Sequence, residues 1–332
     1  MPNLKEKIFP FIANRIGIER FTNVSEPLIA HPFYHTVSNE TRRHISLLYQ
    51  PKTTKEFEKE LDFILSFFQP ISITEFYEHT KKEKFLTRHS FHLSFDDGLR
   101  DVYETALPIL KRKGIPATLF VGSSFVDNKE LFFRHKTALL IEKLDMGKIS
   151  LSAQKEAGKY WKKTNNDSLR SLILQIKYKD KHLLDDIAGI FEVDFTDFLQ
   201  KNKPYLMTEE LKSMQKQGFA IGSHSIDHPL FSELDKKERS RQLTESINFV
   251  KANLGEKYSF FAFPFSDENI EDDFFNELYQ YANLSFGIAG MGIHRNNRHI
   301  DRIDMEKYGK TAEEAFNKAI LKHRFHKFFK KS

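Results

Sequence analysis

The run SFHLSFDDGLRDVYETALPILKRKGIPATLFVG, residues 90–122, decides the fold. Ser90 to Phe95 reads as a buried strand, and Asp101 to Lys113 has the spacing of a helix. Gly114 follows that helix, where a chain end favours left-handed backbone. Ala117 to Gly122 reads as a second strand. Strand, crossover helix and strand make the unit of a parallel sheet.

The same rhythm extends outward. Leu28 to His35 reads as a strand, and Thr53 to Phe68 as a helix with Phe57, Leu61, Ile64, Leu65 and Phe68 on one face. It resumes at Thr208, read as a helix N-cap with Glu209 and Glu210 in the first turn. Strands are expected at Phe219 to Gly222, Tyr258 to Phe263, Ser285 to Ala289 and His299 to Ile303. Helices are expected at Lys236 to Asn253, Asp272 to Tyr281 and Thr311 to Leu321. Repeated units of this kind imply an α/β fold, a distorted (β/α)7–8 TIM-like barrel. The stretch between is charged, helical in spacing and poor in strand signals. It reads as a helical insertion, serving as a buttress or as a lid. The expected organisation is an N-terminal segment at 1–26, barrel parts at 27–124 and 206–305, the insertion at 125–205 and a basic helix or tail at 306–332.

Composition narrows the chemistry. The 332 residues are 40% hydrophobic, enough for a sizeable core, and the net charge is only +5, so nucleic-acid binding is not suggested. There is no cysteine, which rules out disulfides, thiolate nucleophiles and thiolate-bound zinc. Any metal must be held by His and carboxylates. No uninterrupted apolar stretch resembles a signal peptide or a membrane span, so a cytoplasmic location is expected.

Two motifs follow strands. Ser94-Phe95-Asp96-Asp97-Gly98 places two carboxylates where a barrel strand ends at its catalytic face. Neighbouring strand residues point in opposite directions, so the two aspartates need different tasks unless the backbone breaks there, which Gly98 permits. Alone, Asp-Asp-Gly is an ordinary turn. Gly222-Ser223-His224-Ser225-Ile226-Asp227-His228 brings two imidazoles four residues apart, on one face if the segment is a helical turn. Two His and one carboxylate make a three-ligand site with open positions, suited to hydrolysis.

Together, SFDDG and HSIDH resemble the first two motifs of the polysaccharide deacetylases, carbohydrate esterase family 4. Phe261-Ala262-Phe263-Pro264-Phe265 resembles the third, and Gly114 to Phe120 fits the phrase between. The resemblance implies Asp97, His224 and His228 as metal ligands, Asp96 as catalytic base, and a divalent ion, usually Zn2+, with Co2+, Ni2+ or Fe2+ able to serve. The strand-end loop at Pro264-Phe265 can offer a backbone N–H to an oxyanion. The family's general acid is a late His. Leu321-Lys322-His323 has the letters but lies in a basic helix, and His294 and His299 match less well. Phe33-Tyr34-His35 resembles the Tyr-His of the circularly permuted poly-N-acetylglucosamine deacetylase branch, which points to His35. His31, deeper on that strand, reads as a packed core residue. The third motif departs from the family at Ala262, where an Arg would orient the base; Arg302 is the proposed replacement.

The implied activity is metal-dependent hydrolysis of an N-acetyl or related acyl group on an amino sugar of a surface polysaccharide or its precursor. The rivals are a metal amidase acting on a non-sugar amide and a non-catalytic carbohydrate-binding protein. The carbohydrate partner can be lipid-linked, since the tail from Ala319 to Ser332 is basic with interleaved Phe and suits weak contact with an anionic membrane. A solvated terminal helix is the plainer expectation. Phe133-Arg134-His135, inside the insertion, can point into the active site, but a surface helix face is the plainer expectation.

Overall fold

The computed structural model describes residues 27–161, 168–291, 296–306 and 311–330, with side chains described through 323. The expected N-terminal segment and His294 lie outside these residues, as do the side chains of the basic tail beyond 323.

The described residues form eleven strands: β1 Ile29–Ala30, β2 Pro32–Tyr34, β3 Gln69–Pro70, β4 Ser90–Phe91, β5 Leu93–Phe95, β6 Ala117–Val121, β7 Ala220–Ser223, β8 Phe260–Ala262, β9 Leu284–Gly287, β10 His299–Asp301 and β11 Ile303–Asp304. Eight form one sheet in the order β10-β9-β8-β7-β6-β5-β2-β11, all neighbours parallel. β10 and β11, the two edges, are successive parts of one stretch of chain broken only at Arg302. The Arg302 amide donates to Gly287 O at 3.2 Å on the β9 side, and the Ile303 amide to His31 O at 2.8 Å on the β2 side. One strand thus bonds β9 with its first half and β2 with its second, and the ring is nearly closed.

β1 and β4 precede β2 and β5 on the same chain runs and pair, with β3, into a small parallel sheet. The breaks fall at His31 and His92. His31 is buried, edge-on to Phe76 at 4.5 Å between ring centres and 5.7 Å from His92. Burial lowers its pKa to about 3, so it is a neutral core ring.

Helices wrap the barrel. The helix Thr54–Leu65 starts at a reciprocal cap between Thr53 and Glu56 and buries Phe57, Leu61 and Ile64. The terminal helix Ala312–Lys330 is not simply solvated: Phe316, Ala319 and Ile320 are buried in the main core, with Phe316 5.4 Å from the Phe68 ring. The expected helix at Asp101 to Lys113 opens with a π-helical turn, Val102–Ala106, before Leu107–Lys113. Thr208 is not an N-cap but the first residue of its helix. Asp127 accepts its amide at 2.6 Å and its hydroxyl at 2.8 Å. Among the described residues, no helix is long and apolar enough to cross a membrane.

The insertion is longer in helix than its sequence suggests. Phe133–Asp145, Leu151–Ala157, Leu169–Leu174, His182–Phe191 and Phe195–Asn202 are helices. They enclose their own core, with Leu140, Ile141, Ile173, Leu184, Ile187 and Phe191 buried. Ile45 and Leu99 join that core from the barrel part of the chain, so the insertion is welded to the mouth.

Candidate active site

β5 ends at Phe95, and the backbone then turns left-handed, φ 68° at both Asp97 and Gly98. This turn defeats strand alternation and aims both aspartates at the mouth. A side chain at Gly98 would also press on Val121, its Cβ 3.1 Å from Val121 Cγ1. After β7 the chain bends irregularly, with Ser225 at φ 69° and His228 at φ 63°. The expected helical turn is absent. The two imidazoles meet because the loop folds back on itself, their ring centres 4.8 Å apart.

Asp97, His224 and His228 are buried and offer ligand atoms within 4.8 Å of one another. Asp97 Oδ1 lies 3.5 Å from His224 Nε2 and 3.1 Å from His228 Nε2. Ligands about 2.0–2.1 Å from a tetrahedral zinc stand roughly 3.3 Å from each other. The His224 Nδ1 proton is donated to Ala262 O at 2.8 Å, which leaves a lone pair on Nε2 facing the carboxylate. Asp97 Oδ1 is buried without a hydrogen bond of normal geometry. Two acceptors facing each other in a buried space are relieved by a cation between them, so the residues fit a divalent metal. Burial holds the pKa of His224 down to about 4, keeping it a neutral ligand.

Asp96 is gripped from the far side of the ring. Arg302 Nη1 and Nη2 each donate to one Asp96 oxygen at 2.7 Å, and Nη1 also reaches Ser94 Oγ at 3.2 Å. Burial alone would raise the Asp96 carboxyl, but the Arg302 guanidinium, followed by His224, outweighs it and holds the group below the usual carboxylate range. The kink at Arg302 therefore brings its guanidinium onto Asp96, the pairing proposed for it above. Ala262 keeps a part through its carbonyl.

His35 stands at the end of β2, its ring stacked on Tyr49 at 4.5 Å. Its Nδ1 bonds Glu306 Oε2, and its backbone amide donates to Glu306 Oε1 at 3.0 Å. Burial opposes protonation, yet Glu306, with Asp97 and Asp96 beyond it, pushes the His35 pKa up to about 10. Glu306, two residues past β11, has no motif of its own; a carboxylate just beyond a strand end is the signal that would find it.

A cavity of about 500 Å³ opens over these groups, lined by His35, Asp96, Asp97, His224, His228 and Glu306. Phe33, Leu47, Leu48, Tyr49, Phe132 and Phe265 supply its apolar wall. Phe265, with left-handed φ 58°, is 40% exposed and sits 4.5 Å from the His228 ring; Pro264 precedes it in the turn. The insertion segment Phe133-Arg134-His135 is not a surface face. Arg134 and the preceding Phe132 line the cavity, and His135 is buried against the Tyr205 hydroxyl at 2.6 Å. His323 stays on the terminal helix, whose Lys322 donates to Ala289 O at 2.7 Å. His299 has both ring nitrogens engaged, with Ser285 Oγ at 2.8 Å and Asp267 Oδ2 at 3.1 Å. With Asp301 it crowds Gly287, where a Cβ would fall within 2.9 Å of all three side chains, so only glycine fits there.

A mixed carboxylate and imidazole group that could hold a metal, at the carboxyl ends of a nearly closed parallel barrel, stands where barrel enzymes keep their catalytic residues. The chain belongs to the polysaccharide deacetylase family, whose signature matches residues 84–166 and 180–283, more than half its length. It is 25% identical over 185 residues to a poly-beta-1,6-N-acetyl-D-glucosamine N-deacetylase of Staphylococcus epidermidis; the match covers 51% of this chain and 60% of that protein. In fold it is similar to the Streptococcus pyogenes deacetylase PplD in complex with acetate, with a TM-score of 0.58 at 13% identity, over 89% of this chain and 99% of the other. IcaB from Ammonifex degensii gives a TM-score of 0.52 at 16% identity, over 88% and 98%.

Proposed function

We propose that this protein removes N-acetyl groups from an amino sugar of a surface polysaccharide or its precursor. The carrying observation is that Asp97, His224 and His228 converge beside the Arg302–Asp96 and Glu306–His35 pairs in one cavity. A divalent cation held by Asp97, His224 and His228 would supply a nucleophilic water near neutral pH and polarise the amide carbonyl. Asp96, kept ionised by Arg302, accepts the water's proton. His35, charged at neutral pH with Nδ1 tied to Glu306, donates from Nε2 to the departing amine. The Phe265 amide, in the turn after Pro264, is the oxyanion donor. The exposed Phe265 ring and the Tyr49 wall give a sugar ring flat surfaces to rest on, which favours a glycan over a small amide.

The test is acetate release from β-1,6-linked N-acetylglucosamine oligomers and from chitooligosaccharides, with zinc or cobalt added. Release that stops with EDTA and returns with metal is expected. Cleavage of N-acetyl amino acids but of no glycan would make it an amidase, and glycan binding without release a lectin-like protein.

Glu306→Gln should move the alkaline limb of the pH–rate profile. The carboxylate raises the His35 pKa, so its loss drops that value toward an ordinary imidazole's, with Asp97 and Asp96 still opposing burial. Two pH units above 6.5 roughly 1% of an imidazole stays protonated. The rate should hold near pH 6 and fall about a hundredfold by pH 8.5. An unshifted limb would remove His35 from the role of acid.

A further inference from the structure

We infer that the helical insertion sets the metal affinity of the site, through a clamp on the carboxylate of Asp227. This rests on the metal reading of Asp97, His224 and His228 given above.

Asp227 lies between the two imidazoles in sequence, but its side chain turns away from the cavity and into the insertion. Tyr178 Oη donates to Asp227 Oδ1 at 2.8 Å and Oδ2 at 2.9 Å, and Lys181 Nζ pairs with Oδ2. Both come from one short segment, a 3-10 turn at Tyr178–Asp180 and the residue after it, with Lys181 Nζ 4.4 Å above the Tyr178 ring. Beside Tyr178, whose hydroxyl it reaches at 3.2 Å, Gln242, fully buried on the helix Lys236–Leu254, donates to Asp227 Oδ1 at 2.7 Å and accepts the Ile226 amide at 2.9 Å. The Asp227 side chain is 11% exposed, so these charge-assisted bonds act in a partly dry setting, where they are strong.

The loop needs such holding. Ser225 and His228 both sit in the left-handed region, which non-glycine residues leave unless their surroundings fix them. Within the loop, the His228 amide donates to Ser225 Oγ at 3.0 Å. Outside the segment, the Ser123 and Ser124 amides donate to the Ser225 and Ile226 carbonyls at 3.1 and 3.0 Å, and the His228 ring packs on Phe132 and Phe265, each 4.5 Å away; the insertion adds its ion pair and hydroxyl bonds at Asp227. A loosened Asp227 would let the loop relax and carry His228 away from Asp97 and His224. Tyr178 and Lys181 are therefore positioning residues, and the insertion is a buttress of the ligand loop as well as a wall of the cavity.

The test is zinc titration calorimetry on EDTA-stripped full-length protein, with apo unfolding midpoints measured alongside. Partners that orient metal ligands typically contribute about 10–100-fold in affinity. Asp227→Ala should raise the zinc Kd within that range, and Tyr178→Phe with Lys181→Met about tenfold. Lys177→Ala, which removes the neighbouring surface pair with Glu233, should leave the Kd unchanged. An unchanged Kd in both Asp227→Ala and the Tyr178/Lys181 double variant overturns the inference. Should Asp227→Ala not fold, Tyr178→Phe/Lys181→Met decides alone. Parent protein that takes up no zinc would instead sink the metal reading itself.

Discussion

Asp97→Asn will abolish zinc-dependent stabilisation and slow acetate release by at least about a thousandfold. Asn is chosen because Asp97 holds φ 68°, a conformation that Asn tolerates far better than most residues. The substitution keeps shape and removes charge. Asp97 is the anionic member of the group; His224 is held neutral by burial. Without the carboxylate, a dication would face two imidazoles and an amide in a buried space, with no charged ligand to offset its lost hydration. Carbonyl polarisation and water activation contribute several kcal/mol to hydrolysis, and about 1.4 kcal/mol is a factor of ten in rate. Folding and binding separate cleanly here. Zinc at a hundred times its Kd should stabilise the parent by about 2.7 kcal/mol, seen as a rise in Tm, and the variant should show no rise. An Asp97→Asn protein that still gains stability from zinc would place the ion elsewhere.

The barrel was legible because its strands and helices alternate in a chain with few competing signals. Asp96, Asp97, His224 and His228 were legible because each follows a strand. What escaped was geometry that no spacing encodes. In Phe260-Phe261-Ala262-Phe263, Phe260 and Ala262 pack with Phe120 and Phe286, whereas Phe261 and Phe263 pack with Phe231 and Phe274. The alternation is real but invisible in letters, since both faces of a parallel strand are buried. The His224 and His228 pair suggested a helical turn; left-handed residues at Ser225 and His228 make it a folded loop. The division of the last strand at Arg302 depends on ring closure, a property of the whole sheet. Glu306 falls just beyond the strand, in the stretch that reads as a tail, yet it meets His35 across 271 positions of sequence. Tyr178 and Asp227, 49 residues apart, belong to segments whose contact only the packed insertion creates. Arg302 was found by a different route, from the missing Arg at Ala262.

Arg302→Met will destabilise the protein by about 3–5 kcal/mol, the usual cost of removing one partner from a buried ion pair. It will also lower the rate by about two to four orders of magnitude, the range of a general base. Arg302 is fully buried, with its guanidinium 4.2 Å from the centre of the Phe33 ring and 5.3 Å from that of Phe120. Met can follow the aliphatic stem between these rings but cannot answer the Asp96 charge. Two causes of instability are then mixed: a carboxylate left unpaired, and volume lost between the rings. Asp96→Asn/Arg302→Met separates them in urea unfolding. If the unpaired charge dominates, the double variant recovers most of the lost stability, because the amide has no charge to strand. It stays inactive, since no base remains. Equal instability in the double and the single variant would assign the loss to packing against Phe33. A single Arg302→Met with the parent's rate would show that the guanidinium braces the barrel seam and plays no part in orienting Asp96.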